Sequence, residues 1–583
     1  MFDLMKKFKI IFSIGLVLIF TFVAFVPCLK NGFVNWDDDI YVTQNPMIRR
    51  LSLKNIRQIF FSLRYSVIYT PLVFISYAVE YHFCGLQPFF FHLTNLILHL
   101  LNCFLVFLCF YLLCRETIVA FIVSILFGIH PLHVESVAWI TERKDLLYAF
   151  FFLWALVCYI YYVQKKRPRY YFFVLILFVL ALLSKPVAVV LPFILLLFDY
   201  FITGGINKRN LLEKVPFLCI ALFFLMLGIL TAKAYIRLDP DIAFLDKILI
   251  ANYALVFYLY KIILPFGLSC LYPYPLKVGN FLPLFFLLGP FITIASYVLV
   301  RLSLKYTRKI FFGFGFFLIF TLPAFQLFPT GPVIVSDRYT YLSSIGIFFI
   351  IAESILFFYR RRLRKKYVFS GFLLSIFIII LSILSVFTRE RCRVWANSST
   401  LWNDAIEKYP DGYIPSAYFN RGIIFSVKRD NKNAVSDFNK ALELYYKKLG
   451  IHQNYALIYD RLLSSQSGYS AIYDFLGVKY AEINRMLEAE ILLKRAIALR
   501  SSHVEAYAHL VGVYGQQGKY KEAIMMGEKA VELDQHAALA HYNLSVAYYF
   551  DNQRDFAFKH LEIATKLGFK PDPEFVAKVK KSR

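Results

Sequence analysis

The feature that most constrains this chain is an alternation of apolar runs, each about 18–25 residues long, with short basic loops. A run of that length crosses the hydrocarbon core of a bilayer as a helix, because a helix satisfies its own backbone hydrogen bonds where no water is present. Up to about residue 388, eleven such runs stand out: 10–27, 89–113, 117–135, 146–163, 170–184, 186–202, 213–235, 281–301, 309–328, 338–359 and 367–387. With 59% hydrophobic residues, 17% charged residues and 63 phenylalanines, this part has too little polar surface to cover a soluble particle. The net charge of +26 would point to nucleic acid in a soluble protein. Here the basic residues sit in loops at 6–9, 165–169, 208–214, 305–309 and 360–366, and no nucleic-acid-binding module accompanies them. That distribution is the positive-inside pattern of a multi-pass membrane protein.

Placing all five basic clusters on one side requires that segment 248–265, interrupted by Asn252, Lys261 and Pro265, does not cross fully. It is expected to be re-entrant or to lie along the outer face, and 66–84 is expected to be an amphipathic element in the first long loop. The run from Ile10 to Val26 follows a basic start but has no small-residue cleavage site, so it is expected to stay as the first helix. Loops 28–88, 136–145, 266–280 and 329–337, together with everything from Thr388 onward, then share the side opposite the basic clusters. The nine cysteines lie mostly inside apolar runs, with no CxxC and no framework spacing.

Beyond residue 388 the hydrophobicity falls and a 34-residue period appears. Tyr473, Gly477, Tyr480, Ala489 and Ala496 recur as Tyr507, Val511, Tyr514, Ala523 and Ala530, and again as His541, Ser545, Tyr548, Ala557 and Ala564. Tyr418, Gly422, Ala434, Phe438 and Ala441 give an earlier unit, separated from the second by an insertion around 449–469. Small residues at these places let paired helices approach, which is the tetratricopeptide pattern of an α-solenoid that presents a concave face to partners. The expected architecture is therefore all-α, with a membrane domain over 1–388 and a repeat domain over 389–583.

Four polar clusters fall at the ends of spans on the shared face. Asp37, Asp38 and Asp39 follow Trp36; three aspartates at mid-bilayer would cost roughly 8–10 kcal/mol on insertion scales, so they lie at the interface or beyond. The stretch HPLHVESVAWITERKDLL (130–147) holds His130, His133, Glu135, Glu142, Arg143, Lys144 and Asp145, and Pro131 marks a helix break at His130. It fits no metalloprotease pattern, and loop orientation by hydrogen bonding is its expected role. Arg338, in SDRYTYL, is suited to a phosphate, although local pairing with Asp337 would also explain it. Lys185, in Ser184-Lys185-Pro186, reads either as a second phosphate ligand or as a snorkelling lysine in a turn. A carboxylate able to act as general base and an arginine able to hold a phosphate leaving group, at one membrane face, suit transfer of a group from a lipid phosphate to a hydroxyl.

Five stretches in this order, NWDDDIYVTQNP (35–46), HPLHVESVAWITERKDLL, LYPYPL (271–276), SDRYTYL (336–342) and VWANSSTLWNDAIEKYPD (394–411), resemble the transmembrane-and-tetratricopeptide-repeat (TMTC) family and its bacterial relatives. That family falls within the GT-C class of membrane glycosyltransferases, and the resemblance covers nearly the whole chain. It implies a GT-C-type helical domain and an inverting, protein O-mannosyltransferase-like activity that moves a mannose-like sugar from a polyprenyl-phosphate donor to a hydroxyl of a protein or glycan acceptor. By the same resemblance Asp37 and Asp38 are catalytic, with Asp39 an extra neighbour; Arg338 holds the donor phosphate, to which the chemistry above adds Lys185 as a second ligand; and His130, His133, Glu135, Arg143, Asp145 and Asp337 support them. Relatives often carry Ser-Lys-Glu where this chain has Ser184-Lys185-Pro186. No cofactor beyond the donor lipid is implied, and a divalent cation on the adjacent aspartates stays open. The implied partners are the lipid-linked donor and a protein acceptor recruited by the repeats, without nucleic acid. The short array without a retention tail points to a bacterial inner membrane with periplasmic repeats, or, in a eukaryote, to repeats in the endoplasmic-reticulum lumen. Two other classes stay open: a non-catalytic membrane scaffold, and a transporter of lipid-linked sugar, whose site belongs nearer mid-membrane.

Overall fold

The computed structural model describes residues 2–61, 69–232, 243–275, 282–325, 333–361, 366–410, 412, 414–448 and 467–582. Among them the fold is all-α, with one isolated antiparallel bridge between Pro273 and Val333. The chain forms two compact units, Met1–Lys408 and Tyr409–Arg583. The composition break near 388 falls inside a continuous helix, Lys366–Val394, and the first unit also keeps the helix Ser398–Lys408.

In the first unit the apolar runs are helices whose ends follow local rules. Proline occupies the first turn of Pro88–Cys114 and Pro168–Ser184, where its missing N–H costs nothing. Arg115 and Lys166 take left-handed backbone (φ 59° and 52°) just past the helices they terminate, so each connection is a tight two-residue turn. Six helices among the described residues are long and apolar enough to cross a membrane, or up to seven if the bent pair Thr117–Ile129 plus Pro131–Ala138 counts as one. The other expected runs are also helical, over Pro168–Ser184, Arg308–Thr321, Ser344–Arg361 and Lys366–Val394. The chain is a multi-pass membrane protein.

One of the two alternatives for 248–265 falls away. Segment 248–265 is not a re-entrant loop: Phe244–Ile263 is one unbroken helix, because Asn252 bonds back to the Ile248 carbonyl at 2.8 Å and Pro265 lies beyond the end. In the first loop, 71–84 is a helix capped by Gly85, while 66–68 lie outside the described residues, as does the insertion up to 466. Helices Arg308–Thr321 and Ser344–Arg361 touch backbone to backbone: a Cβ on Gly346 would stand 2.1 Å from the Gly313 carbonyl oxygen. Small residues make such close crossings possible in a membrane bundle.

The second unit pairs its helices antiparallel: Pro415–Val427 with Asn431–Lys448, Ser467–Glu482 with Met486–Leu499, Val504–Gln516 with Tyr520–Leu533, and Ala538–Phe550 with Arg554–Lys566. The residues that define the repeat are its core: Ala434, Ala489, Ala496, Ala523, Ala530, Ala557 and Ala564 are fully buried. A Cβ on Gly477 would meet the Leu493 side chain at 2.6 Å. Gly477→Val is expected to destabilise the solenoid by about 1–3 kcal/mol through overpacking. Thermal unfolding of the full chain would show this as a lower midpoint for the repeat transition, with the membrane unit unchanged.

Candidate active site

The stretch 129–145 is where the bundle departs from regular helix, and almost all of it is buried. Pro131 breaks the helix, and the two segments meet at 53°. Both histidines stabilise the break. His130 Nδ1 accepts from the Leu132 amide at 3.3 Å and its Nε2 pairs with the Ile262 carbonyl at 3.1 Å. His133 Nδ1 pairs with the Phe127 carbonyl at 2.7 Å and its Nε2 with Ser344 Oγ at 3.1 Å. All four ring nitrogens are thereby engaged, and their work is to hold backbone that left the helix ladder.

Glu135 and Glu142, delivered by this irregular stretch, face Arg338 from the loop before Ser344–Arg361. Glu135 accepts from the Arg338 amide at 3.0 Å and from its Nη1, and Glu142 Oε1 lies 3.3 Å from Arg338 Nε. Arg338 therefore pairs with carboxylates about two hundred residues away in sequence, not with Asp337. Asp337 points elsewhere: it accepts from the Tyr272 hydroxyl at 2.7 Å, and burial raises its carboxyl to about 7.

Two lysines complete a cationic group. Lys144 lies 3.0 Å from Glu142 Oε1, and Lys185 lies 3.6 Å from Glu142 Oε2 while also bonding Asp145, whose other oxygen accepts from Ser136 at 3.3 Å. Lys185 is thus fixed inward by two carboxylates and is not a snorkelling turn residue. Three cations from three elements converge on one buried glutamate, and their side chains stay 14% (Arg338), 13% (Lys185) and 8% (Lys144) exposed. Arg338 Nη2 makes no hydrogen bond among the described residues.

The three aspartates separate into three environments. Asp38 is 1% exposed, and both its oxygens are used: Oδ2 accepts from the Val34 amide at 2.9 Å, and Oδ1 accepts from the Thr141 amide at 3.1 Å and its hydroxyl at 2.5 Å. It ties the first loop to the irregular stretch, and burial raises its carboxyl to about 6. Asp39 is half-exposed, and its carboxylate accepts from the Ile40 amide at 2.9 Å. The Asp37 carboxylate makes no hydrogen bond or ion pair among the described residues. It lies partly buried in the field of Lys144, Glu142 and Arg338; desolvation holds its pKa above the ordinary aspartate value, with Lys144 opposing.

Arg143 is fully buried and turned away from the cationic group. It bonds Asn95 Oδ1 and the Phe91 carbonyl, each at 2.8 Å, pairs with Glu80 and stacks over Tyr77, so it fastens helix Pro71–Cys84 to Pro88–Cys114. Lys144 and Glu142 belong to the site although the sequence reading gave them no role in it; their signal was the run of charges Glu142-Arg143-Lys144-Asp145 at the start of a span. Glu135, Glu142 and Asp145 are each paired with a lysine or arginine, and no group of three His, Cys, Asp or Glu among the described residues has metal-holding geometry.

Asp38→Asn is expected to destabilise the first unit by about 1–3 kcal/mol, because one of its two oxygens becomes an amide NH₂ facing a donor. The folded carboxyl titrates above its unfolded value of 3.8, so its contribution strengthens as pH falls from about 6 toward 4 and is lost as pH rises through 6. Asn does not titrate, so the wild-type advantage in thermal unfolding should be larger at pH 4.5 than at pH 7.

The fold and the site define a class: a multi-pass membrane protein with a carboxylate beside clustered cations and a tetratricopeptide unit. The family model for dolichyl-phosphate-mannose-protein mannosyltransferase matches residues 88–230, and tetratricopeptide repeats match 415–448 and 504–536. Protein O-mannosyl-transferase TMTC1 of Mus musculus is 37% identical over 92 residues, covering 16% of this chain and 10% of that protein. Protein O-mannosyl-transferase TMTC3 of Homo sapiens is 22% identical over 82% of this chain and 59% of its own length. A solved structure, YrrB, titled as a TPR protein with an unusual peptide-binding site, is 23% identical with a TM-score of 0.24, covering 32% of this chain and 82% of that one. The chain thus spans about a tenth and about three fifths of the two curated relatives, and it is similar to TMTC proteins over most of its own length.

Proposed function

We propose that the chain is a membrane glycosyltransferase of the protein O-mannosyltransferase type, transferring a mannose-like sugar from a polyprenyl phosphate to a hydroxyl of a protein or glycan acceptor. The observation that carries the reading is the contrast between Asp37, whose carboxylate is uncommitted, and the adjacent Lys144 and Arg338, which are locked in place. The Asp37 carboxylate takes the acceptor's hydroxyl proton, and the acceptor oxygen forms a bond to the sugar's anomeric carbon. The bond from that carbon to the phosphate oxygen breaks, and the electron pair leaves with the phosphate. Arg338 Nη2, Lys144 and Lys185 face the developing charge, already oriented by Glu135, Glu142 and Asp145. One displacement inverts the anomeric centre.

Asp38 and Asp39 hold no proton-transfer role in this scheme: Asp38 keeps the loop in place and Asp39 stands outside. The site lies on the extracytoplasmic face, opposite the basic loops, and the repeat unit recruits the acceptor there; in a bacterium that face is periplasmic. The names of the curated relatives support this chemistry. The test is incubation of purified protein with a panel of radiolabelled polyprenyl-phosphate sugars and a membrane extract of acceptors, followed by mass spectrometry. Sugar appearing on a protein or glycan hydroxyl with inverted linkage supports the reading, and absence of transfer from every donor overturns it.

A further inference from the structure

The stretch VWANSSTLWNDAIEKYPD has no role in the scheme above, yet it touches both halves of the site. Locally it is a helix start: Asn397 caps the Thr400 amide at 3.1 Å while Thr400 Oγ1 accepts from the Asn397 amide at 3.2 Å, which sets Trp395 before the cap and Trp402 one turn inside it. On one side this turn grips the aspartate loop. Trp402 Nε1 donates to Asn35 Oδ1 at 2.8 Å, Ser398 Oγ accepts from the Asn35 amide at 2.9 Å, and the Gly32 amide donates to the Ala396 carbonyl at 2.9 Å. Trp36, the neighbour of Asp37, sits with its ring 5.1 Å from Trp402, 6.4 Å from Trp395 and 5.0 Å from Trp139, over which the Arg338 guanidinium lies at 5.5 Å.

On the other side the same segment grips the arginine loop. Lys408 donates to the Leu268 carbonyl and is held by Asp404 at 2.6 Å, which also pairs with Arg391 at 2.6 Å. From there Tyr272 reaches Asp337 at 2.7 Å, and the Ile334 amide donates to the Tyr272 carbonyl at 3.1 Å. Trp395, Trp402 and Arg391 are buried, so this is packed structure and not a surface contact.

We propose that Arg391–Lys408 is a positioning brace that fixes the Asp37 loop against the Arg338 loop, so that base and phosphate ligands keep their working separation. The proposal rests on the glycosyltransferase reading for its kinetic consequence. The brace residues touch no reacting atom; they act through Trp36 and Tyr272. A small error in the placement of a general base is enough to lower a rate about a hundredfold. The residue that follows Lys408 begins the repeat unit, so the brace is also the covalent link between the two units.

Three variants of the full chain separate this from a merely structural role. Trp402→Leu is expected to lower kcat about 10- to 100-fold with donor KM unchanged; Trp402→Phe, which keeps the stack, is expected to recover most of that loss. Lys408→Met is expected to raise donor KM more than it lowers kcat, since it loosens the arginine side. Hydrogen exchange read by mass spectrometry is the second measurement. Amides 32–38 should exchange at least tenfold faster in Trp402→Leu, while those of 147–160 should not change. Should Trp402→Leu fail to fold, Ser398→Ala replaces it in both measurements. Unaltered kinetics and exchange in folded variants overturn the brace. If the wild type transfers no sugar, the reading of the site fails, and exchange alone decides the brace.

Discussion

Asp37→Asn is expected to reduce sugar transfer by about 10²–10⁴-fold, the range supplied by a positioned general base, while the protein still folds and inserts. The reason is the absence of structural bonds: the Asp37 carboxylate holds nothing in place, so an isosteric amide removes basicity and little else. The same substitution at Asp38 leaves one of its two oxygens as an acceptor and turns the other into a donor facing a donor, so it should act first on stability. The two variants therefore separate chemistry from scaffolding one residue apart. pH adds a second signature. Desolvation keeps Asp37 protonated to a higher pH than an ordinary aspartate, so the wild-type rate should fall on the acid side at a pH above 3.8. Residual transfer by Asp37→Asn should lack that limb. Initial rates with a saturating lipid donor between pH 4 and 8, beside a thermal unfolding scan in detergent, make the comparison. Wild-type-like rates in Asp37→Asn would remove this residue from the mechanism.

Arg338→Gln is expected to lower transfer by about 10²–10³-fold, the cost of removing one preorganised group from a developing charge. It should also destabilise the first unit by about 3–5 kcal/mol, because Glu135 keeps no cationic partner while remaining buried. Arg338→Lys discriminates the two effects. A lysine restores the charge but cannot span Glu135 and Glu142 while presenting a third nitrogen outward, so stability should return in large part and transfer should not. Donor titrations with polyprenyl phosphate, read by intrinsic fluorescence, should show weaker binding in both variants.

Much of this was legible in the sequence. Apolar length marked the helices, a 34-residue period marked the solenoid, and the polar clusters at the span ends named Asp37, Glu135 and Arg338, which the fold brings together. Partner choice was not legible. Whether Arg338 pairs with Asp337 beside it or with Glu135 far upstream depends on how a broken helix turns at Pro131, which no periodicity reports. For the same reason Asp37 and Asp38 looked equivalent: their difference lies in which carboxylate meets the Thr141 amide. For segment 248–265 charge parity constrained sidedness, whereas local hydrogen bonding decides whether a helix breaks, so the re-entrant option fell to the unbroken helix Phe244–Ile263.

The pairing of Glu135 with Arg338 also bears on how the protein is made. Synthesis delivers Glu135 and Glu142 to the membrane long before Arg338 emerges, so the acidic half of the site spends that interval without its arginine. Lys144 and Lys185 arrive early and neutralise Glu142, but Glu135 waits for the last third of the bundle. Closure of the site therefore waits for residue 338, and until then Glu135 lacks the arginine that pairs with it in the finished fold.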